Sequence, residues 1–407
     1  MTEPACRSCG AQGLEVVLSL GKMPLANALL TTEQLTEPEP RYPLDLAFCS
    51  SCALVQITEV VPPEDLFGEY AYFSSYSATM LSHAEGIVRR LIGERGLGPG
   101  SLAMEIASND GYLLQYYVEA GVPVLGIEPA RNIAPAAEAR GVTTVCAFFG
   151  ASLAEELRAA GRRADVVHAN NVLAHVPDLN GVLGGMARLL APGGVAVVET
   201  PYVRDLVERL EFDTIYHEHL SYYSLTSLER AFRRNGLSVV GVERLPIHGG
   251  SLRVFAEAGD APPAGAVASL LAEEQDLGMD QLAYFHGFAA RVEDLRRRLR
   301  DLLAGLKSQG HRVAAYGAAA KGAVLLNACG IGAETLDFVA DRSQYKQGRF
   351  MPGVHLPVVA PERLLQDRPD EVLLLAWNFA DEILEQQAAY RAQGGRFVIP
   401  VPEPRIV

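Results

Sequence analysis

A chain of 407 residues exceeds what one hydrophobic core serves and divides most naturally into two or three domains. Its 49 acidic against 35 basic residues leave a net charge of −14, which argues against a nucleic-acid or anionic-membrane partner. No stretch approaches the ~20 apolar residues of a bilayer span, and Met1 to Cys6 show no basic flank leading into an apolar run, so a cytoplasmic protein is expected.

The chain opens on two Cys-x-x-Cys pairs, Cys6 with Cys9 and Cys49 with Cys52. Two-residue spacing lets both sulfurs of a pair face one ion, so the four thiolates predict a tetrahedral, structural zinc with no position left for water. The alternative is two unrelated thiol pairs, but no thioredoxin-like βαβ setting surrounds them. The remaining cysteines, Cys146 and Cys329, sit among small or apolar residues and are expected as buried core thiols. Short strands at 14–20 and 42–48 complete a zinc-binding domain placed at residues 1–70. An aromatic and hydroxyl-rich segment that includes Tyr70 follows, and then an amphipathic helix to about Ile92.

From Ser101 short apolar strands (102–107, 124–127, 142–147, 165–169 and 194–199) alternate with helices (113–120, 153–160 and 179–190). That alternation predicts an α/β domain at 71–245 with a doubly wound, mainly parallel, Rossmann-like sheet. Its first strand ends in Glu105-Ile106-Ala107-Ser108-Asn109-Asp110-Gly111-Tyr112, where such folds bind their cofactor. Two of the three glycines of a dinucleotide fingerprint are missing, which favours a cofactor without phosphates. S-adenosylmethionine fits: Ala107, Ser108, Asn109, Gly111 and Tyr112 are candidates for its methionine portion. Glu128 with Pro129 is placed at its ribose, Phe148 over its adenine, and Asn170 and Asn171 near its sulfonium. The plainer alternative is that Glu128 caps a helix and Asn-Asp-Gly is a simple turn.

Further on, Tyr216-His217-Glu218-His219-Leu220-Ser221-Tyr222-Tyr223-Ser224 is the densest run of proton-transfer groups in the chain. His217 and His219 could instead hold a metal, but no carboxylate pair accompanies them at fitting spacing. A long charged helix over about 279–309 leads to a second, smaller α/β unit with strands at 312–316, 336–340, 371–376 and 396–399, in a carboxyl-terminal domain placed at 246–407. There Tyr316-Gly317-Ala318-Ala319-Ala320-Lys321-Gly322 passes from a strand into a helix. Small residues let a phosphate approach backbone N–H groups at such a place, with Lys321 adding charge. The alternative is a packing turn with a solvated lysine. Asp341, Lys346, His248 and Asn378 are further candidates for lining a nucleotide or sugar pocket.

Taken together, the two Cys-x-x-Cys pairs, the segments 70–77, 105–112, 170–178 and 216–224, and the Tyr316 to Gly322 turn give a chain that resembles the sugar C-methyltransferases acting on deoxyhexoses linked to thymidine diphosphate, as in antibiotic deoxysugar pathways. The resemblance spans essentially the whole length. It implies a TDP-4-keto-deoxysugar substrate methylated on the carbon beside the ketone, usually C3. By it His219 is the candidate base, with Glu218 and Tyr216 shaping its setting, His175 and Tyr70 as further catalytic candidates, and Tyr222 in the substrate pocket. Methylation at C5, an O- or N-methyltransferase, and a non-enzymatic zinc-knuckle nucleotide-binding protein are the other readings. The protein is expected as a monomer or weak oligomer.

Overall fold

A computed structural model describes residues 4–62, 66, 74–247 and 249–407. Tyr70 and His248 therefore lie outside the described residues.

Strands β1 (Glu15–Met23), β2 (Tyr42–Phe48) and β3 (Val55–Ile57) form an antiparallel meander. Leu44, Leu46, Phe48, Val55 and Ile57 are sealed from solvent and give this small unit its core. Helix α1 (Ala78–Arg95) starts where the Ser77 side chain accepts the Met80 N–H and stops at Gly96, which takes the left-handed conformation.

The central unit follows with β4 (Ala103–Ile106), helix α2 (Leu114–Glu119), β5 (Val124–Ile127), β6 (Thr144–Val145), β7 (Ala164–Asn170), β8 (Leu190–Pro201), β9 (Ser221–Tyr222), helix α3 (Leu225–Arg234), β10 (Leu237–Leu245) and β11 (Ser251–Ala258). Seven of these strands form one sheet in the order β10-β11-β8-β7-β4-β5-β6. β4 to β8 run parallel, and β11 is antiparallel to both β8 and β10. The order reverses between β4 and β7, and that reversal opens a crevice at the carboxyl ends of both strands. A division at 245/246 cuts the β10–β11 hairpin, and Ser251–Ala258 belongs to the central sheet, where it is inserted between β8 and β10.

β9 leaves the central sheet altogether. It pairs antiparallel with β3, Val55 opposite Tyr222 and Gln56 opposite Ser221, and so supplies the fourth strand of the first unit's sheet. The next residue, Tyr223, bridges back to Tyr202 beyond the end of β8. The run 216–224 is thus a seam between two sheets.

Helix α4 (Gly265–Asp276) packs on α3 and β10. The single helix expected over 279–309 is instead a 3-10 turn at Leu282–Phe285 and helix α5 (Phe288–Ser308), separated by Gly287 at φ 77°. The third sheet, in the order β14-β13-β12-β15-β16-β17, comprises β12 (Val313–Tyr316), β13 (Val339–Ala340), β14 (Val358–Val359), β15 (Glu371–Leu374), β16 (Arg396–Ile399) and β17 (Arg405–Ile406). All of its pairings are parallel except that of β17. Helix α6 (Ala320–Cys329) follows β12 and packs against the 3-10 turn Phe212–Thr214 of the central unit.

Candidate active site

The cofactor crevice begins where β4 ends. Ala107, Asn109 and Gly111 all have positive φ, so the chain doubles back tightly. A Cβ at Gly111 would lie 3.0 Å from Val142 and 3.3 Å from the Ala137 backbone, which leaves room only for glycine. Burial, then the nearby Glu128 and Asp110, hold the Glu105 carboxyl well above the usual range. Burial also raises Glu128, whose two oxygens accept the N–H groups of Asn109 (2.9 Å) and Ala130 (2.8 Å). The Ser74 N–H donates to Asn109 Oδ1 at 2.9 Å, bringing the 3-10 turn Ser74–Tyr76 that precedes α1 against this turn. Asn170, at the end of β7, is buried, and its Oδ1 has no protein partner among the described residues. Asn171, at φ 57°, donates its N–H to the Glu199 carbonyl at 2.8 Å.

Three clustered carboxyls and an unmatched amide oxygen suit a cationic ligand without phosphates, as S-adenosylmethionine is at its sulfonium and ammonium groups. The surroundings of the other candidate cofactor residues differ. A Cβ at Gly126 would meet Ser108 Oγ at 2.5 Å, so Ser108 serves the β4–β5 packing. Tyr112 is buried in a core shared with α1 and α2. Pro129 is half-buried, and Phe148 is 46% exposed at the rim. Cys146 is exposed rather than a core thiol, because β6 is a two-residue strand at the sheet edge, whereas Cys329 is buried. Glu105, a carboxylate on an otherwise apolar strand, joins the candidates through its burial beside Glu128 and Asp110.

The loop 216–224, called the base loop after its candidate base His219, lies between two sheets. His219 Nδ1 is 3.1 Å from the Thr214 carbonyl, and because a carbonyl only accepts, Nδ1 carries the proton. Nε2 is then the basic nitrogen, and the Tyr216 hydroxyl donates to it at 2.9 Å. The His175 ring packs edge-on to His219 with centroids 4.8 Å apart. Burial pushes His175 down to about 4, against a hydrogen bond to the Glu218 carbonyl, so it is neutral at physiological pH. The Leu220 N–H to Ala174 carbonyl bond (2.6 Å) and the Tyr223 hydroxyl to Leu173 carbonyl bond (2.8 Å) fasten the loop to the turn that carries His175. Glu218 is buried, which lifts its carboxyl to about 7 against the Asn27 amide (2.7 Å) and the charge of Lys346. His217 is tied to the Pro43 carbonyl at 3.1 Å and to the edge of the Tyr42 ring, and among the described residues it belongs to no group of potential metal ligands. Tyr222, expected to line the substrate pocket, is buried behind His219 with its hydroxyl 3.4 Å from the Thr214 carbonyl.

In the third unit, Gly317 has φ 95°, and a Cβ there would lie 2.8 Å from that of Ala376. Asp341, at the end of β13, accepts the Ala318 N–H at 2.7 Å, and Lys346 donates to the Ala318 carbonyl at 2.7 Å. Lys321 does not face an open phosphate site. Its ammonium stands 4.5 Å from the centre of the Trp377 ring, in a buried cluster with Glu211 and Asp213, and burial lowers its pKa while both carboxylates oppose that. The Trp377 indole donates to Asp213 at 2.7 Å. Half-buried Asn378 has an Oδ1 with no protein partner among the described residues.

At the far end of the first sheet, the sulfurs of Cys6, Cys9, Cys49 and Cys52 all lie within 4.8 Å of one another, with Cys6–Cys52 at 3.5 Å and Cys9–Cys49 at 3.6 Å. Four thiolates about 2.3 Å from a tetrahedral zinc stand roughly 3.8 Å apart, so the cage has the right size. Arg7, inside the first knuckle, donates to the Gln56 side chain (3.1 Å) and to the carbonyls of Ile57 (2.6 Å) and Leu220 (3.2 Å), linking the cage to the base loop.

A parallel sheet with this crevice, beside a four-cysteine cage, defines an S-adenosylmethionine-dependent methyltransferase carrying a structural zinc. Residues 6–67 match a zinc binding domain family, residues 80–242 a methyltransferase domain, and residues 246–402 the C-methyltransferase C-terminal domain. The chain is 41% identical to C-methyltransferase NovU of Streptomyces niveus over 404 residues, 99% of this chain and 96% of that protein. It belongs to that C-methyltransferase family. A partial match, 29% identical over 33% of this chain and 54% of the relative, is to the ubiquinone biosynthesis O-methyltransferase of Azorhizobium caulinodans. Among solved structures, the magnesium protoporphyrin IX methyltransferase of Synechocystis PCC 6803 with bound SAH overlaps 44% of this chain and 83% of its own, at 16% identity and a TM-score of 0.36.

Proposed function

We propose that the protein methylates carbon, at C3 beside the C4 ketone, of a TDP-linked 4-keto-deoxysugar, with His219 as the base. The observation that carries this reading is the fixed tautomer of His219, whose Nδ1 proton is held by the Thr214 carbonyl while Nε2 stays basic beside the Tyr216 hydroxyl. A hydrogen beside a ketone is acidic enough for a positioned imidazole to remove, and on substrate binding the Tyr216 hydroxyl turns from Nε2 to the enolate oxygen, which frees the one lone pair of that nitrogen for the proton. The proton moves to Nε2, and the electron pair of the C–H bond becomes the carbon nucleophile. S-adenosylmethionine, when bound, supplies the methyl group on a sulfonium.

Neutral His175 packs the base ring without competing for its charge. Glu105, Glu128, Asn109 and Asn170 are the residues to hold the cofactor, and Asp341, Lys346 and Asn378 the residues facing the nucleotide. The name of the relative from Streptomyces niveus supports transfer to carbon, and the contacts of the base loop with the first unit, with the charge of Lys346 reaching Glu218 from the third, support a substrate that spans more than the central sheet. The test is loss of the sugar C3 proton to deuterated water with TDP-4-keto-6-deoxyglucose. His219→Asn should slow the exchange by about 10²–10⁴-fold, and exchange at the parent rate would remove His219 as the base. Labelled methyl recovered on oxygen or nitrogen would replace the whole reading.

A further inference from the structure

Glu218 belongs to the base loop, yet the side chain that holds it comes from the first unit. Asn27 follows β1 in the turn Pro24-Leu25-Ala26-Asn27-Ala28. That turn is fixed by the Ala28 N–H on the Leu25 carbonyl (3.1 Å) and the Leu29 N–H on the Asn27 carbonyl (2.9 Å). Three residues on, Leu30 exchanges backbone hydrogen bonds with Phe350 of the third unit at 3.0 and 2.9 Å. Asn27 is itself exposed, but its Nδ2 donates to Glu218 Oε1 at 2.7 Å, and Glu218 is 4% exposed. An exposed amide planted on a buried carboxyl, across 191 residues of sequence, is unusual for a surface turn.

The chemistry of the pair is specific. An amide N–H orients a carboxyl group and favours its charged form without adding a counter-charge, so the group stays able to exchange a proton near neutrality, where Lys or Arg in direct contact would keep it ionised. Among the described residues, the charged or titratable groups acting on Glu218 are Lys346 from the third unit, by its charge on the carboxyl, and His175, on the Glu218 backbone carbonyl; His217 and His219 flank it in sequence but turn to Pro43 and Thr214.

We propose that Asn27 is a positioning residue of the methyl-transfer site, orienting the Glu218 carboxyl in the base loop and making the zinc-binding unit a working part of that site. This rests on the reading of Glu218 as a group that shapes the base. It also gives a physical reason for the first unit to share a sheet with the base loop, since the shared strand β9 and the Asn27 contact set the same segment from both ends.

The test follows the Glu218 carboxyl directly by carbon-13 NMR of glutamate-labelled protein, its signal assigned by loss in Glu218→Gln. Asn27→Ala removes the donor and should move the Glu218 titration to higher pH; isosteric Asn27→Asp should move it further, by repulsion between two carboxylates. The acid limb of the kcat profile with TDP-4-keto-6-deoxyglucose should shift in the same direction and the thermal midpoint should fall only above the Glu218 titration, while S-adenosylmethionine binding stays at the parent value. In a Glu218→Gln background, Asn27→Ala should change kcat less than twofold. An unchanged Glu218 titration in both variants, or an equal loss of kcat with and without Glu218, would overturn the proposal. Full activity of Glu218→Gln would instead overturn the role given to Glu218 above, and the titration would still decide the contact.

Discussion

Lys321 shows how far position alone carries a residue's role. At the passage from β12 into α6, after four small residues, a phosphate contact is the natural expectation, but the ammonium turns inward to Trp377, Asp213 and Glu211. The neighbouring backbone explains why that matters: Asp213 precedes Thr214, whose carbonyl fixes the His219 tautomer. Burial drives Glu211 up to about 8 and Asp213 up to about 6; Lys321 opposes both shifts, and the charge of Asp213 adds to that of Glu211. A carboxyl whose pKa is raised in the folded state contributes stability that is complete below its unfolded value of 4.5 and is lost as pH rises through about 8. Glu211→Gln should therefore flatten the fall of Tm between about pH 5 and 9 and leave the variant a few degrees more stable than the parent at the alkaline end. Calorimetry across that range checks it, and parallel curves for the two proteins would contradict it.

At the scale of elements, α3 begins directly after the base loop and must have its first N–H groups satisfied inside the protein. The Ser224 and Ser227 side chains form a reciprocal capping box. Glu274 of α4, fully buried, accepts the N–H groups of Leu225 (2.7 Å) and Thr226 (2.7 Å), the Thr226 hydroxyl (2.6 Å) and the Tyr202 hydroxyl (2.8 Å). Glu274→Ala strands four donors, two of them on half-buried Thr226, and should cost about 3 kcal/mol of unfolding free energy, with Glu274→Gln losing less. Denaturant unfolding measures both, and a loss under about 0.5 kcal/mol for the alanine variant would show that water replaces the carboxylate.

The same region marks the limit of what the sequence reveals. Parallel strands buried on both faces read as short apolar runs, which is why β4, β5, β7, β12 and β16 stand out. The β10–β11 hairpin does not, since Pro246 and Gly249-Gly250 between its strands look like a crossover. β9 is two residues long, and its partner β3 lies in another unit, so no periodicity exists to find it. Cysteine spacing disclosed the zinc cage, and strand-end placement the cofactor crevice. Which way Tyr222, Ser108 and Lys321 point was decided by tertiary packing, to which residue type and spacing are silent.

The whole molecule is organised around the loop that three units share. From the first unit come Arg7, Asn27 and the pairing of β3 with β9; from the central unit the Thr214 carbonyl and the His175 turn; from the third Lys346 and, through Asp213, Trp377. Zinc is distant from the chemistry in function yet close in mechanical terms, because Arg7 lies between Cys6 and Cys9 and its guanidinium collects the carbonyls of Ile57 and Leu220, the residue next to His219. Metal removal deprives the knuckle of its cross-link, and with it the orientation of Arg7. The face of the central sheet under α1 and α2 has a core of its own, and the crevice opens at the ends of that sheet's strands, so its cofactor binding is expected to be independent of that linkage. Chelation should therefore lower Tm and reduce methyl transfer together, while S-adenosylmethionine binding measured by calorimetry persists. Arg7→Met should reproduce the loss of activity with the zinc content unchanged, at a cost of about 1–3 kcal/mol for carbonyls left without their donor. A chelated protein with parent stability and turnover would show that β3 and β9 hold the base loop without the metal, and loss of cofactor binding on chelation would show that the zinc-binding unit supports the central fold rather than the base loop alone.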